Sequence, residues 1–455
     1  MKWNGLFFNY STYLLLVKLR LFRILTIVFI LSVLVLLLIL YNQSIPHYIY
    51  GNSYRQNALV NVIRLHKYGI TGKNVRIGLI DAGVYTPHIV FEKTKIIKQY
   101  DFVNNDSNVI SKDHKKGRDH GTNVFSVIGG YKEGELIGIA YDADFILART
   151  DISTDRLTLE EKNAIKAARW IVENGVDIIS TSLSFQKFDN TDYYRPSQMN
   201  GNTALITKVA DRLVQKGVLF FCSAGNGYES DWRIIEPPGD GKYVLAVGSI
   251  DKYKKHSFFS SCGPTVDGRI KPDLVTPGEG IWVANHLPSL KSKFGWTHGT
   301  SLSAPIAAGI GALILSAHPG LSAEQVTEAL KQSCSLSNKP DNLMGWGVPD
   351  AEVAVSYFGP AFSNSPEIIE TEEGIEIKSY VFSSFEVDNA SIKMKIIGNN
   401  NAENYFLKMV QVDEDYYSCL IKSKMKKEIR VEFIASDKRG VITIYPYLIK
   451  LVNKN

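Results

Sequence analysis

No acidic residue occurs in the first 80 positions of this chain; the first is Asp81. Nine Lys and Arg lie in that stretch, so the net charge of +5 divides into +9 before Asp81 and −4 (5 − 9) for the remainder. The basicity belongs to the front of the chain, and a nucleic-acid partner gains no support from it. Cysteine is scarce. Cys222, Cys262, Cys334 and Cys419 are too few and too scattered for a metal knuckle or a disulfide scaffold, and spacing does not choose among their three pairings. Long internal repeats and low-complexity tracts are missing as well. What remains is ordinary globular material: 45% hydrophobic residues in a chain of 455, long enough for more than one domain.

Charge is also missing from residues 24–40, which are apolar apart from Thr26 and Ser32 and are extended by Leu21, Phe22 and Tyr41. The run is near the lower limit for a membrane-spanning helix. Lys2, Lys18, Arg20 and Arg23 precede it, whereas 42–54 carry no charge. The positive-inside rule places the N-terminus in the cytoplasm and the bulk of the chain outside, periplasmic or extracellular. A cleaved signal peptide is the rival, but its core would be long and no small-x-small site follows in 41–46. Residues 1–41 are therefore expected to be a basic tail and an uncleaved anchor, and 42–55, with Pro46 and Gly51, an extended linker.

Strand-like and helix-like patterns then alternate. Residues 56–69 are predicted as a short amphipathic helix and 74–80 as an apolar strand with Asp81 just past its end. Strands follow at 136–140, 145–149, 176–183 and 218–223, and helices at 159–174 and 203–216. This order predicts an α/β domain over 56–358, a mostly parallel sheet with helices on both faces. In such sheets function collects at the carboxyl ends of the strands. Ser322 and Gln325 form a capping-box pattern for a late helix. Residues 361–455 change character, with short apolar runs at 375–382, 390–397, 405–412, 416–421, 429–435 and 441–445. They predict a small all-β accessory domain, a β-sandwich.

Four motifs carry chemistry. Asp81 ends the 74–80 strand in Gly78-Leu79-Ile80-Asp81-Ala82-Gly83. His120 lies in Asp119-His120-Gly121-Thr122, opening a helical run. Asn226 lies in Ser223-Ala224-Gly225-Asn226-Gly227, just past a strand. Ser301 lies in His298-Gly299-Thr300-Ser301-Leu302-Ser303-Ala304-Pro305, at the mouth of a helix rich in Ala and Gly. Alone, the serine reads as an N-cap, the aspartate and asparagine as turns, and the histidine as a surface residue. Together, in the order Asp, His, Asn, Ser and each at a strand end or helix mouth, they form a strong joint signal, with the serine placed near a positive helix end as a nucleophile needs.

In these motifs and their order the chain resembles the subtilisin-like serine proteases over about residues 55–355. The resemblance implies Ser301 as nucleophile, His120 as general base, Asp81 as its orienter and Asn226 as oxyanion donor. It makes Ser182-Leu183-Ser184 the edge that pairs with substrate backbone and Ala224-Gly225 a wall of the main specificity pocket, with protein or peptide substrates. The runs 271–278 and 259–264 resemble family connectors. Four departures stand out: Ala82 where Ser or Thr is usual, Asn123 for a second histidine, Ser184 for a glycine, and Leu302 for a methionine. None removes a catalytic group. No cofactor is expected. Calcium is common in the family, but no carboxylate cluster here matches a site, and no metal ligand is assigned. His88 and His298 are read as structural, and Cys222 as a small buried hydrophobe.

Many secreted relatives carry a folded pro-domain. The 42–55 stretch could extend about 50 Å, but it is below the roughly 40 residues a self-standing core needs. Activity without removal of a folded pro-domain is therefore expected. The 361–455 region loosely resembles immunoglobulin-like or fibronectin-like modules. Rival readings are a catalytically inactive binding protein on the same fold and an acyl-transferring or macrocyclising enzyme. The sequence leaves the oligomeric state open.

Overall fold

The computed structural model describes residues 18, 20–32, 47–111, 118–151, 157–186, 194–285, 293–396, 404–421 and 429–449. Residues 20–32 form helix α1, with Leu21, Phe22, Phe29 and most other apolar side chains exposed. Its two hydroxyls turn back onto the helix, Thr26 Oγ1 to the Phe22 carbonyl and Ser32 Oγ to that of Val28. The second half of the expected span, 33–40, lies outside the described residues.

Residues 47–50 are helical, not extended, and pack on the domain that follows. Tyr50 is buried, with its hydroxyl 2.7 Å from His66 Nδ1. The helix expected over 56–69 is two short ones, α2 (Tyr54–Ala58) and α3 (Ile63–Lys67). Asn61 interrupts it with φ 57°, a conformation that ends a helix, and is held by its bond to Asp350 Oδ2.

The sheet is built from β1 (Arg76–Asp81), β2 (Lys95–Asp101), β5 (Asp144–Arg149), β6 (Ile178–Thr181), β7 (Leu219–Ser223), β8 (Leu245–Ile250) and β9 (Leu274–Pro277). Its order is β2-β5-β1-β6-β7-β8-β9, and every pairing is parallel. Between these strands lie α4 (Arg118–Gly129), the short pair β3 (Tyr131–Lys132) and β4 (Leu136–Ile137), α5 (Leu157–Glu173) and α6 (Leu205–Val214). The hairpin β10 (Ile281–Ala284) and β11 (Phe294–Thr297) leads into α7 (Thr300–Ala317), α8 (Ala323–Gln332) and α9 (Ala351–Ser356).

The strands read as nearly continuous apolar runs because both faces are covered. Side chains alternate between two cores: Ile77, Leu79, Phe145, Leu147 and Phe221 enter the one that includes α4 and α7, while Ile80, Ile146, Ala148, Phe220 and Cys222 enter the one with α5 and α6. The strand expected over 136–140 stops at Ile137. The N–H groups of Ile139 and Ala140 instead bond the Val127 and Ile128 carbonyls, satisfying the last turn of α4. The capping box forms as predicted, with Gln325 N–H on Ser322 Oγ and Ser322 N–H on Gln325 Oε1. Among the described residues one helix is long and apolar enough to cross a membrane, α7, and it is the buried centre of the first core.

Beyond residue 360 come β12 (Ala361–Phe362), β13 (Glu367–Thr371), β14 (Gly374–Phe382), β15 (Val387–Ile396), β16 (Asn404–Lys408), β17 (Val410–Asp413), β18 (Tyr416–Ile421), β19 (Ile429–Asp437) and β20 (Ile442–Ile449). They make two antiparallel sheets, β12-β14-β18-β17 with β13 on β14, and β16-β15-β19-β20, enclosing a separate core that includes Phe362, Ile377 and Phe433. The run expected over 405–412 is two strands, broken at buried Met409. This region docks through Asn364, whose amide and carbonyl both bond Ser316, and through Asp415, 2.7 Å from Arg64. Ser316 is at the far end of α7 from Ser301, roughly 22 Å along the axis at 1.5 Å per residue.

Candidate active site

Three neighbouring strands deliver three of the expected groups to one edge of the sheet. β1 ends at Asp81, β6 is followed by Ser182, and β7 is followed by Ala224, Gly225 and Asn226. Helices α4 and α7, packed in the same core, bring His120 and Ser301.

His120 Nδ1 lies 2.7 Å from Asp81 Oδ1, and the Ala82 N–H donates to the same oxygen at 2.7 Å. Asp81 is buried, and its Oδ2 has no donor among the described residues. The carboxylate charge is thus left for the imidazole. Contact depends on Gly121, where a Cβ would come within 2.1 Å of the Gly83 carbonyl oxygen and 3.1 Å of Asp81 Oδ1. Burial pushes the His120 pKa down. The Asp81 charge and hydrogen bond, with the Asp151 charge beyond, outweigh it and leave the pKa raised. With Nδ1 committed to Asp81, Nε2 is left for the cleft, and 37% of the side chain stays accessible.

Ser301 is the second residue of α7 and nearly buried, at the positive end of the helix. Thr300 beside it fixes Asn226. Its N–H (2.9 Å) and Oγ1 (3.0 Å) both donate to Asn226 Oδ1, and the same hydroxyl accepts from the Gly225 N–H. With the amide oxygen held, Nδ2 is the end left to donate. A Cβ at Gly299 would lie 3.0 Å from Ser301 Oγ and 3.8 Å from Asn226 Nδ2, so both atoms border one small space. Ser182 turns its hydroxyl onto the Ser301 carbonyl at 2.6 Å. Leu183 and Ser184 continue past β6 outside any strand or helix.

The departures have local explanations. Asn123 bridges the Ala284 carbonyl (2.6 Å) and Asn285 Oδ1, tying α4 to β10. Leu302 is buried in the core of α7. Ala82 offers only its backbone, to Asp81 and, through its carbonyl, to Arg149 Nε. His88 caps Val90 and meets the Lys293 carbonyl. His298 is exposed against Phe259. All four cysteines are unpaired and buried, and burial drives the Cys222 thiol pKa far up. Among the described residues no group of three or more His, Cys, Asp and Glu side chains could hold a metal ion.

Two features are not legible in sequence motifs. Thr300 sets the orientation of Asn226, although a Gly-Thr-Ser corner gives no sign of it. Glu236, in a loop without periodicity, accepts from the Asn226 N–H at 3.2 Å. The connector at 271–278 holds a buried ion-pair cluster. Lys271 Nζ lies 2.6 Å from Asp273 Oδ2 and Lys331 Nζ 2.9 Å from Asp273 Oδ1. Burial raises the Asp273 pKa, but the two lysines overcome it and hold the carboxyl at about 2.

Residues 72–347 match the profile of the subtilase family, more than half of the chain. The chain is similar to subtilisin E of Bacillus subtilis (strain 168), 28% identical over 297 residues that cover 65% of this chain and 67% of that protein. It is 31% identical to the major intracellular serine protease of the same organism over 254 residues, 54% of this chain and 70% of the relative. The fold is like that of a solved protease from Pseudoalteromonas arctica, with TM-score 0.52 and 19% identity over 68% of this chain and 98% of that one. The chain belongs to the subtilase family and is a subtilisin-like serine endopeptidase.

Proposed function

We propose that peptide-bond hydrolysis runs through Ser301, His120, Asp81 and Asn226. The observation that carries this reading is the pair of fixed orientations at the strand ends: His120 Nδ1 on Asp81, and Asn226 Oδ1 on Thr300. His120 Nε2 takes the proton of Ser301 Oγ as that oxygen bonds to the substrate carbonyl carbon. The carbonyl oxygen becomes an oxyanion that Asn226 Nδ2 and the Ser301 N–H stabilise. The imidazolium, held by Asp81, gives its proton to the leaving amine as the peptide bond breaks. Water then repeats the sequence on the acyl-enzyme, and Ser301 recovers its proton. Ser182–Ser184 and Ala224–Gly225 border the path of the substrate backbone.

The site is further read as extracytoplasmic, on a chain held to the membrane by one N-terminal helix. The exposed apolar surface of α1, its hydroxyls bonded inward and basic residues at its start support this. The test has two arms. Purified full chain should cleave an unfolded protein, and Ser301→Ala should abolish this while retaining its fold. Protease added to intact cells should reach the catalytic domain and spare the first twenty residues. A shielded catalytic domain contradicts the orientation.

A further inference from the structure

Glu236 is a buried acid that the mechanism leaves unused. It is 4% exposed, and among the described residues no cation pairs with it. Its carboxylate lies directly behind the reaction centre. Oε1 accepts from the Asn226 N–H at 3.2 Å, and the side chains of Ser184 and Gln186 bond the same carboxylate. Gly225 is what lets it in: φ is +107°, and a Cβ there would come within 2.2 Å of Glu236 Cδ. A Cβ on Gly227 would be 3.3 Å from Oε1. The acid therefore sits between the two segments that border the substrate path, 182–186 and 224–227. Gln186 also lines a groove of about 410 Å³ with Ser230 and Trp232, where Arg195 and Asp231 offset each other in charge.

A peptide whose carbonyl oxygen points at Asn226 Nδ2 carries the side chain of the residue before the cut on the adjacent α-carbon. That side chain passes between the same two segments, toward the carboxylate. We propose that Glu236 is a specificity-determining residue: it forms the floor of the pocket for the residue before the scissile bond and selects lysine or arginine there. A buried carboxylate with hydrogen bonds but no counter-charge is costly, and a substrate cation supplies the missing charge at the end of a long apolar stem. Ser184, with its hydroxyl on the acid, narrows the pocket to such a stem. The proposal rests on Ser301 and Asn226 marking the reaction centre.

Burial raises the Glu236 pKa to about 7, against the opposing bonds from Ser184, the Asn226 N–H and Gln186. Only the ionised form attracts a cation. The kcat/KM ratio of a lysyl over a leucyl peptide should therefore rise as pH increases through about 7, and taking the ratio cancels the titration of His120. A carboxylate that merely braced Asn226 would move both substrates together.

The experiment profiles the purified full chain on peptides that vary only in the residue before the cut. Lysine and arginine should exceed leucine and phenylalanine by about tenfold or more in kcat/KM. Glu236→Gln should lower the lysyl-to-leucyl ratio by about tenfold or more and flatten its pH dependence, while Glu236→Asp keeps the cationic preference. Fluorophosphonate labelling of Ser301 requires no side chain in this pocket. Loss of labelling in the wild-type chain would refute the reaction centre itself. Intact labelling with a flat or apolar-preferring wild-type profile, or an equal loss on all substrates in Glu236→Gln, overturns the specificity proposal alone. Should Glu236→Gln fail to fold, the wild-type profile and its pH dependence still decide.

Discussion

Ser182 Oγ donates to the main-chain oxygen of Ser301 at 2.6 Å, the carbonyl that Pro305, four residues on and without an N–H, leaves unsatisfied. The hydroxyl just past β6 thus completes the first turn of α7 and ties the backbone of Ser301 to the edge of the sheet. Ser182→Ala should cost about 1–3 kcal/mol in unfolding free energy, the price of an orphaned buried acceptor. In a Pro305→Ala background the new N–H can bond Ser301, and the cost of Ser182→Ala should shrink. A double-mutant cycle by denaturant unfolding measures this. Costs that add within about 0.5 kcal/mol would show the two residues to be independent.

Asn226→Ala should lower kcat with KM little changed, because Nδ2 meets charge that exists only in the transition state. Removing the oxyanion asparagine of subtilisin costs about 10²–10³ in kcat, and that scale is carried over. Thr300→Val should produce a smaller loss of the same kind, since it removes the hydroxyl that holds Asn226 Oδ1. A change in KM alone would assign Asn226 to substrate positioning.

The pH dependence of kcat/KM on a leucyl peptide follows from His120. The raised pKa means the base form is gained only above the ordinary 6.5, so the acidic limb should lie above that value. Asp151→Asn removes one of the charges that raise it and should move the limb toward lower pH. An unmoved limb would exclude Asp151 from the electrostatics of the site.

Asn364 joins the β-sandwich to the catalytic domain through Ser316 and Tyr445. Asn364→Ala should reduce stability by about 1–3 kcal/mol and leave turnover of short peptides unchanged. The junction lies at the opposite end of α7 from Ser301. A fall in kcat comparable to that of Asn226→Ala would instead reveal coupling along the helix.

The sheet and site were legible to different depths. Asp81, His120 and Asn226 stood out because short polar motifs interrupt apolar runs at strand ends and helix mouths, where periodicity marks the boundary. The break between α2 and α3 was not, because Asn61 reaches its left-handed conformation through a partner 289 residues away. The pairing of Ser182 with the Ser301 carbonyl depends on strand order, which local sequence does not encode. Glu236 comes to Asn226 only when the 227–235 loop folds back over Gly225, so nothing in its neighbours announces it.

In the proposed mechanism Ser301 is the nucleophile, activated by His120. The direct measurement is mass-spectrometric mapping of the adduct formed by a fluorophosphonate probe on the native chain. One adduct is expected, on the peptide containing Ser301, lost in Ser301→Ala and strongly slowed in His120→Ala. An adduct on another serine, or labelling that survives both substitutions, would contradict it.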